Sequence, residues 1–295
     1  MNIIEQAARR LEELRRSGVE VPAPARPAGA PTPTRIHKQA KQISIAPADP
    51  AKSVEIDLRR LAAQGYVTPD QSRTQIANEF RVIKRPILNN VHNRSAAPVE
   101  RANLVMVTSS LPGEGKTFVA VNLAISIAME LDSTVLLVDA DVSRPSVLQR
   151  LGLASSSGLL DVLTDSSRNV GDVLLRTNID KLSILPAGAP SGRATELLAS
   201  VQMTNLIEEL ASRYADRILV FDAPPPLLST ESRVLASHMG QVVMVVESER
   251  TPQHTVANAL TTIESCPVVL PLLNKTSRPE VGNYYGYYGP EEKPS

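Results

Sequence analysis

Residues 104–117 read Leu104-Val105-Met106-Val107-Thr108-Ser109-Ser110-Leu111-Pro112-Gly113-Glu114-Gly115-Lys116-Thr117, and their order decides the fold. The apolar run Leu104 to Val107 predicts a buried strand. It feeds a turn bearing two glycines, and after Thr117 the residues Phe118, Val121, Ala124 and Ile125 recur at helical spacing. Strand, tight turn and helix in that order make a phosphate cradle. Gly113 and Gly115 let backbone N–H groups approach phosphate oxygens closely, and the helix N-terminus adds a favourable dipole. Lys116 is placed to reach β- and γ-phosphates, and Thr117 to ligate Mg²⁺. The residues expected to hold ATP are therefore Gly113, Glu114, Gly115, Lys116, Thr117 and Phe118. Ser110 stands where the pattern GxxxxGK(S/T) has its first glycine, and the strand-loop-helix context makes good that departure.

Outward from this loop, apolar runs alternate with helical stretches: Val135 to Val138, Leu182 to Leu185, Ile218 to Phe221, Val242 to Val246 and Val268 to Leu273. Continuous apolar strands separated by helices predict a sheet covered on both faces. The expected fold is α/β: a doubly wound, mostly parallel sheet of the P-loop NTPase type over 91–275, with ligands at the carboxyl ends of its strands. Two of those ends are acidic. Val135 to Val138 runs into Asp139-Ala140-Asp141-Val142-Ser143-Arg144, and Ile218 to Phe221 into Asp222-Ala223-Pro224-Pro225. A carboxylate there can hold Mg²⁺ directly or through water, which suits Asp222 and Asp139 together with Thr117. A second carboxylate near the γ-phosphate can take a proton from an attacking hydroxyl. Asp139 and Asp141 both qualify, and with Lys116 they form the expected catalytic set.

Composition sets bounds on the rest. Lys plus Arg and Asp plus Glu number 31 each, so no global basic field draws the chain onto nucleic acid. The single cysteine, Cys266, has no disulfide partner and sits beside an apolar run, as a small buried hydrophobe would. No apolar stretch reaches the roughly 20 residues of a membrane span, and no signal-peptide core is evident, so a cytoplasmic location is expected. Residues 1–20 predict an amphipathic helix with Ile4, Ala7, Leu11 and Leu14 on one stripe, and 21–50 a Pro/Ala-rich extended linker. Within 51–90, a short helix is expected around Val54, Leu58 and Leu61, and a second from Ser72 to Lys84 carrying Ile76, Phe80 and Ile83. Residues 276–295 form a Gly- and Pro-bearing tail expected to be flexible. It holds Tyr284, Tyr285, Tyr287 and Tyr288, four of the six tyrosines in the chain.

The phosphate loop, Asp139-Ala140-Asp141, Asp222-Ala223-Pro224-Pro225 and the tyrosine tail together resemble the bacterial tyrosine kinases (BY-kinases, CpsD/CapB-like) of capsule and exopolysaccharide systems. The runs Ile3 to Leu14, Glu79 to Pro86 and Asn283 to Gly289 look like the autokinases found beside exosortase A (XrtA). The resemblance implies an ATP- and Mg²⁺-dependent tyrosine autokinase that phosphorylates Tyr284, Tyr285, Tyr287 and Tyr288. It also implies a homo-oligomer, a cognate phosphatase, and activation by a membrane-bound polysaccharide co-polymerase, a chain-length determinant that would keep the chain peripheral at the inner face of the plasma membrane. Family members usually carry arginine where Ser143 stands, with Arg144 next here. Aligning the ring-forming ExxRxxR helix motif on Arg81 puts Asn78 and Lys84 at its other places. Two rival classes remain: a Min- or Par-type positioning ATPase, which has lysine and glycine where Leu111 and Pro112 stand, and a nucleotide-gated scaffold with little catalysis. Phosphotyrosine formation separates the three. A tail of roughly 14 flexible residues reaches about 20 Å, enough for cis or trans modification.

Overall fold

The computed structural model describes residues 53–165, 167–213 and 217–277. The expected 1–20 helix, the 21–50 linker and Tyr284 to Tyr288 lie outside the described residues. The described residues carry one eight-stranded sheet in the order β1-β4-β5-β3-β6-β2-β7-β8. Its strands are β1 (Ser53–Val54), β2 (Leu104–Ser109), β3 (Thr134–Asp139), β4 (Leu175–Thr177), β5 (Leu182–Leu185), β6 (Arg217–Asp222), β7 (Gln241–Glu247) and β8 (Val268–Asn274). From β5 to β8 every pairing is parallel, whereas β4 runs antiparallel to β5 and carries β1 parallel to itself.

The central strands are apolar throughout because both faces are covered. In β2, Leu104 and Met106 enter one core while Val105 and Val107 enter the other. The same alternation divides Leu136 and Val138 from Val135 and Leu137, and Leu219 and Phe221 from Ile218 and Val220. On the first face lie α5 (Leu159–Thr164), α6 (Ala194–Leu198), α7 (Val201–Arg213), α8 (Thr230–His238) and α9 (Gln253–Thr261). On the second lie α1 (Leu58–Ala63), α2 (Gln75–Val91), α3 (Lys116–Ala128) and α4 (Val147–Leu151). Helix α3 is buried almost all round, as expected of a helix pressed between a sheet and a further helical layer. Cys266 is buried, its thiol directed at the carbonyls of Met239 and Val268.

Residues 53–91 share the second core. Ile56, Leu61, Tyr66, Phe80, Ile87 and Leu88 pack with Val105, Val107 and the inner face of α3. Asp57 caps α1 by accepting from the Arg60 N–H at 3.0 Å, and Thr74 caps α2. The sequence suggests that α2 stops at Lys84, ahead of Pro86, yet the helix continues to Val91. Pro86 is on the exposed side, where water can satisfy the carbonyl that its missing N–H leaves free, and the buried pair Ile87 and Leu88 holds the last turns down. Lys84, aligned with the ring-forming motif, is buried in its own domain: its ammonium bonds the Ser126 carbonyl and pairs with Glu130 at 2.8 Å. Arg81 and Asn78, by contrast, are exposed and bonded to each other at 2.6 Å.

Parallel strands bring the carboxyl ends of β2, β3, β6 and β7 to one edge of the sheet. Asp139 and Asp222 are direct register partners across β3 and β6, and Val107 faces Asp222 across β2 and β6. The site forms where these ends meet the N-terminus of α3.

Candidate active site

The phosphate loop owes its shape to its glycines and to strands behind it. Gly113 has φ +89° and Gly115 φ +100°, left-handed conformations that cost a side-chain-bearing residue about 1–3 kcal/mol. A Cβ on Gly115 would also collide with the Asn274 carboxamide. That carboxamide donates to the Glu114 carbonyl at 2.8 Å, and Lys275 donates to the Gly113 carbonyl at 2.8 Å while pairing with Glu247 at 3.2 Å. The end of β8 therefore grips the loop.

Glu114 is buried and turned away from the cavity. Its carboxylate accepts from the Leu111 N–H at 2.6 Å, the Glu247 N–H at 3.3 Å and the Thr251 hydroxyl. The side chain fastens the loop to the end of β7, so only the backbone of Glu114 is left to face a phosphate.

Behind the loop sits a compact polar cluster. Lys116 Nζ lies 2.7 Å from Asp141 and 3.5 Å from Asp222. Thr117 donates to Asp222 Oδ2 at 2.6 Å and lies 3.0 Å from the Ser146 hydroxyl. Asp139 Oδ2 accepts the Ser146 and Val147 N–H groups at 3.1 and 3.0 Å, at the start of α4. Asp139 Oδ1 is buried and unpaired, and Asp222 Oδ1 has only the Lys116 ammonium nearby. Burial, then the adjacent Asp222 carboxylate, pushes the Asp139 carboxyl up to about 7, against the pull of the Val147 N–H. Burial likewise raises Asp222, partly offset by Lys116. For Lys116 burial works against the charge, but Asp222 and Asp141 outweigh it and hold the ammonium protonated above its ordinary range.

These groups floor a cavity of about 460 Å³. Gly113, Gly115, Lys116, Thr117, Phe118 and Asp141 line it, whereas Asp139 and Asp222 lie beneath the surface. Ser143 and Arg144 are both exposed on its wall. The sequence reading did not single out Ser146, Arg150, Leu228, Ser229 or Glu231, which also line it. They lie outside the three motifs, and only the fold brings them in. Phe118 is braced by Tyr66, with ring centroids 4.9 Å apart. Among the described residues no group of three or more His, Cys, Asp or Glu could by itself hold a metal ion, and no helix is long and apolar enough to cross a membrane.

Known proteins share both the sequence and the shape. Residues 103–270, more than half of the chain, match the AAA domain family. The chain is 31% identical over 189 residues to tyrosine-protein kinase YwqD of Bacillus subtilis (strain 168), covering 64% of this chain and 78% of that protein. It is 29% identical over 269 residues to the succinoglycan biosynthesis transport protein ExoP of Rhizobium meliloti (strain 1021), covering 88% of this chain and 33% of that longer protein. The crystal structure of the chimerical protein CapA2B2 superposes with a TM-score of 0.59 at 28% identity, over 68% of this chain and 86% of that one. A phosphate loop backed by two registered aspartates, on a sheet and sequence held in common with these proteins, makes the chain a member of the bacterial tyrosine kinase family.

Proposed function

We propose that the chain transfers the γ-phosphoryl group of ATP to tyrosines of its own C-terminal tail, Tyr284, Tyr285, Tyr287 and Tyr288. The observation that carries this reading is that Lys116, Thr117 and Asp141 line the cavity floor while Lys116 and Thr117 contact Asp222, the register partner of Asp139. Loop N–H groups and the N-terminus of α3 would hold the phosphates. Lys116, now shared by Asp141 and Asp222, would turn to the β- and γ-phosphate oxygens and stabilise charge that builds up in the transition state. The Thr117 hydroxyl and the Asp222 carboxylate fit Mg²⁺, which binds through one or two protein ligands plus phosphates and water, and the unpaired Asp139 Oδ1 suits an outer, water-mediated contact. Held there, the ion would supply positive charge that offsets the charge of the phosphates. Of the two candidate bases, Asp141 lines the cavity, so it would take the proton of the acceptor phenol while Asp139 holds the start of α4 in place.

The kinship with ExoP supports a role in polysaccharide export. On the same reading a membrane-bound co-polymerase would activate the chain, which would assemble into a homo-oligomer and be reset by a phosphatase. The deciding measurement is phosphosite mass spectrometry and anti-phosphotyrosine blotting of purified protein with ATP and Mg²⁺. Wild type should carry phosphate on the tail tyrosines, and Lys116→Met or Asp141→Asn should carry none while remaining folded. Undiminished phosphotyrosine in both variants would refute the assignment.

A further inference from the structure

Phosphate binding and phosphoryl transfer account for the polar floor of the cavity but not for one of its walls. Beyond Asp222, the loop 223–229 between β6 and α8 presents Pro224, Pro225 and Leu228 to the cavity. Leu228 is 68% exposed, and among the exposed large hydrophobics of the described residues it is the one that lines the site. With Pro224 and Pro225 it forms an apolar patch beside polar groups in one cavity, and such patches mark binding surfaces.

The loop that holds this leucine out is fixed from several sides. The Pro224 carbonyl accepts the Thr108 hydroxyl at 2.8 Å and the Ser232 hydroxyl at 2.6 Å. Arg233 donates to the Pro226 carbonyl at 2.7 Å, and the N–H groups of Leu228 and Ser229 both turn back to the Pro225 carbonyl, at 3.0 and 3.1 Å. Ser229 caps α8, and Glu231 ties Ser229 to Thr195 on α6. The loop is thus a rigid apolar shelf whose own backbone bonds are satisfied, which is the condition for a preorganised binding surface.

Resting on the kinase reading, we infer that this shelf, Leu228 with Pro224 and Pro225, binds the ring of the acceptor tyrosine and so selects phenols over aliphatic alcohols. A phenol carries its hydroxyl at the far end of a flat apolar ring, so a site for it needs an apolar wall leading down to a polar floor. The shelf and Asp141 line the same cavity. Serine carries its hydroxyl on a single carbon and gains nothing from the wall. With the ring on the shelf, the phenolic oxygen forms its bond to the γ-phosphorus while the bond from that phosphorus to the β-bridging oxygen breaks. ADP leaves with the electron pair, and the phenolic proton passes to Asp141.

The test uses the full chain and a synthetic peptide of residues 283–289 as acceptor, at saturating ATP and Mg²⁺. Leu228→Ala should raise the KM for the peptide about tenfold or more, the scale on which a pocket discriminates small apolar groups. Its kcat at saturating peptide and its KM for ATP should move less than twofold, and Leu228→Met should restore the peptide KM. A peptide with serine in place of every tyrosine should be an equally poor acceptor for wild type and Leu228→Ala. An unchanged peptide KM in Leu228→Ala overturns the inference while leaving the kinase standing, as does an effect confined to the KM for ATP, which would make the shelf part of the nucleotide site. Absence of phosphotyrosine in wild type, on the tyrosine peptide and on its own tail alike, overturns both.

Discussion

At the scale of single residues, the site stores unlike protonation demands side by side. The Asp139 carboxyl, raised to about 7 by burial and by Asp222, binds a proton in the folded chain over a pH range where the unfolded chain, near 3.9, has lost it. Folded protein then holds more protons than unfolded between about pH 4 and 7, so this residue's contribution to stability falls as pH rises through that window. Asp139→Asn keeps an acceptor for the Ser146 and Val147 N–H groups but cannot ionise. The variant should therefore gain stability over wild type in the nucleotide-free state as pH rises from 4 to 8, on the order of a few kcal/mol at the upper end. Urea unfolding at both pH values measures it, and a gain independent of pH would contradict the raised carboxyl. Ser143 and Arg144 share the cavity wall, and Arg144 alone carries charge that could meet a phosphate. Arg144→Ala should lower kcat by tenfold or more while Ser143→Ala changes it less than twofold; equal small effects in steady-state assays would show that neither position matters. Motif spacing made Lys116, Thr117, Asp139, Asp141 and Asp222 legible, because a strand followed at once by a carboxylate can only place it at the sheet edge. It could not show that Glu114 turns inward, since that depends on the Glu247 N–H at the end of β7 and the Thr251 hydroxyl, more than a hundred residues away.

Among the elements, the phosphate loop and α2 show how much tertiary contact overrides local signals. The loop is fastened by Glu114, whose carboxylate holds the N–H groups of Leu111 and Glu247. Glu114→Ala would leave those donors without their partner, a loss of about 1–3 kcal/mol, so it should weaken nucleotide binding by tenfold or more with little change in far-ultraviolet circular dichroism. Calorimetric titration with ADP checks this, and wild-type affinity in the variant would mean that the loop holds its shape unaided. Helix α2 outruns the sequence signal because buried Ile87 and Leu88 offset the helix-breaking cost of Pro86, whose freed carbonyl partner can be hydrated on the exposed side. Strands β1 and β4, two and three residues long, are too short to show a periodicity, and Val54, expected in the short helix with Leu58 and Leu61, is in β1 instead. The six strands from β5 to β8 were plain because each is long enough to feed two cores in alternation.

For the whole molecule, the tyrosine tail and the acidic site beneath the cavity suggest an electrostatic cycle of assembly. Each phosphotyrosine adds about −1.5 to −2 charges, so four add roughly −6 to −8. Screening confines their effect to about 8 Å at physiological salt, which means repulsion acts only where a modified tail approaches a neighbour's Asp139, Asp141 and Asp222. Replacing all four tyrosines with Phe should favour association, and replacing them with Glu should favour dissociation; identical sedimentation of the two variants in ATP and Mg²⁺ would sink this cycle. The chain enters that tail through Asn274 and Lys275, the two residues that grip the phosphate loop. A pull on the tail is therefore delivered to the nucleotide cradle before it reaches the sheet, because Lys275 must let go of Gly113 before β8 can peel from β7. A partner that held the tail taut would load the Gly113 and Glu114 carbonyls, next to the loop N–H groups expected to face phosphate, and so act on the kinase mechanically, as a hand on a lever.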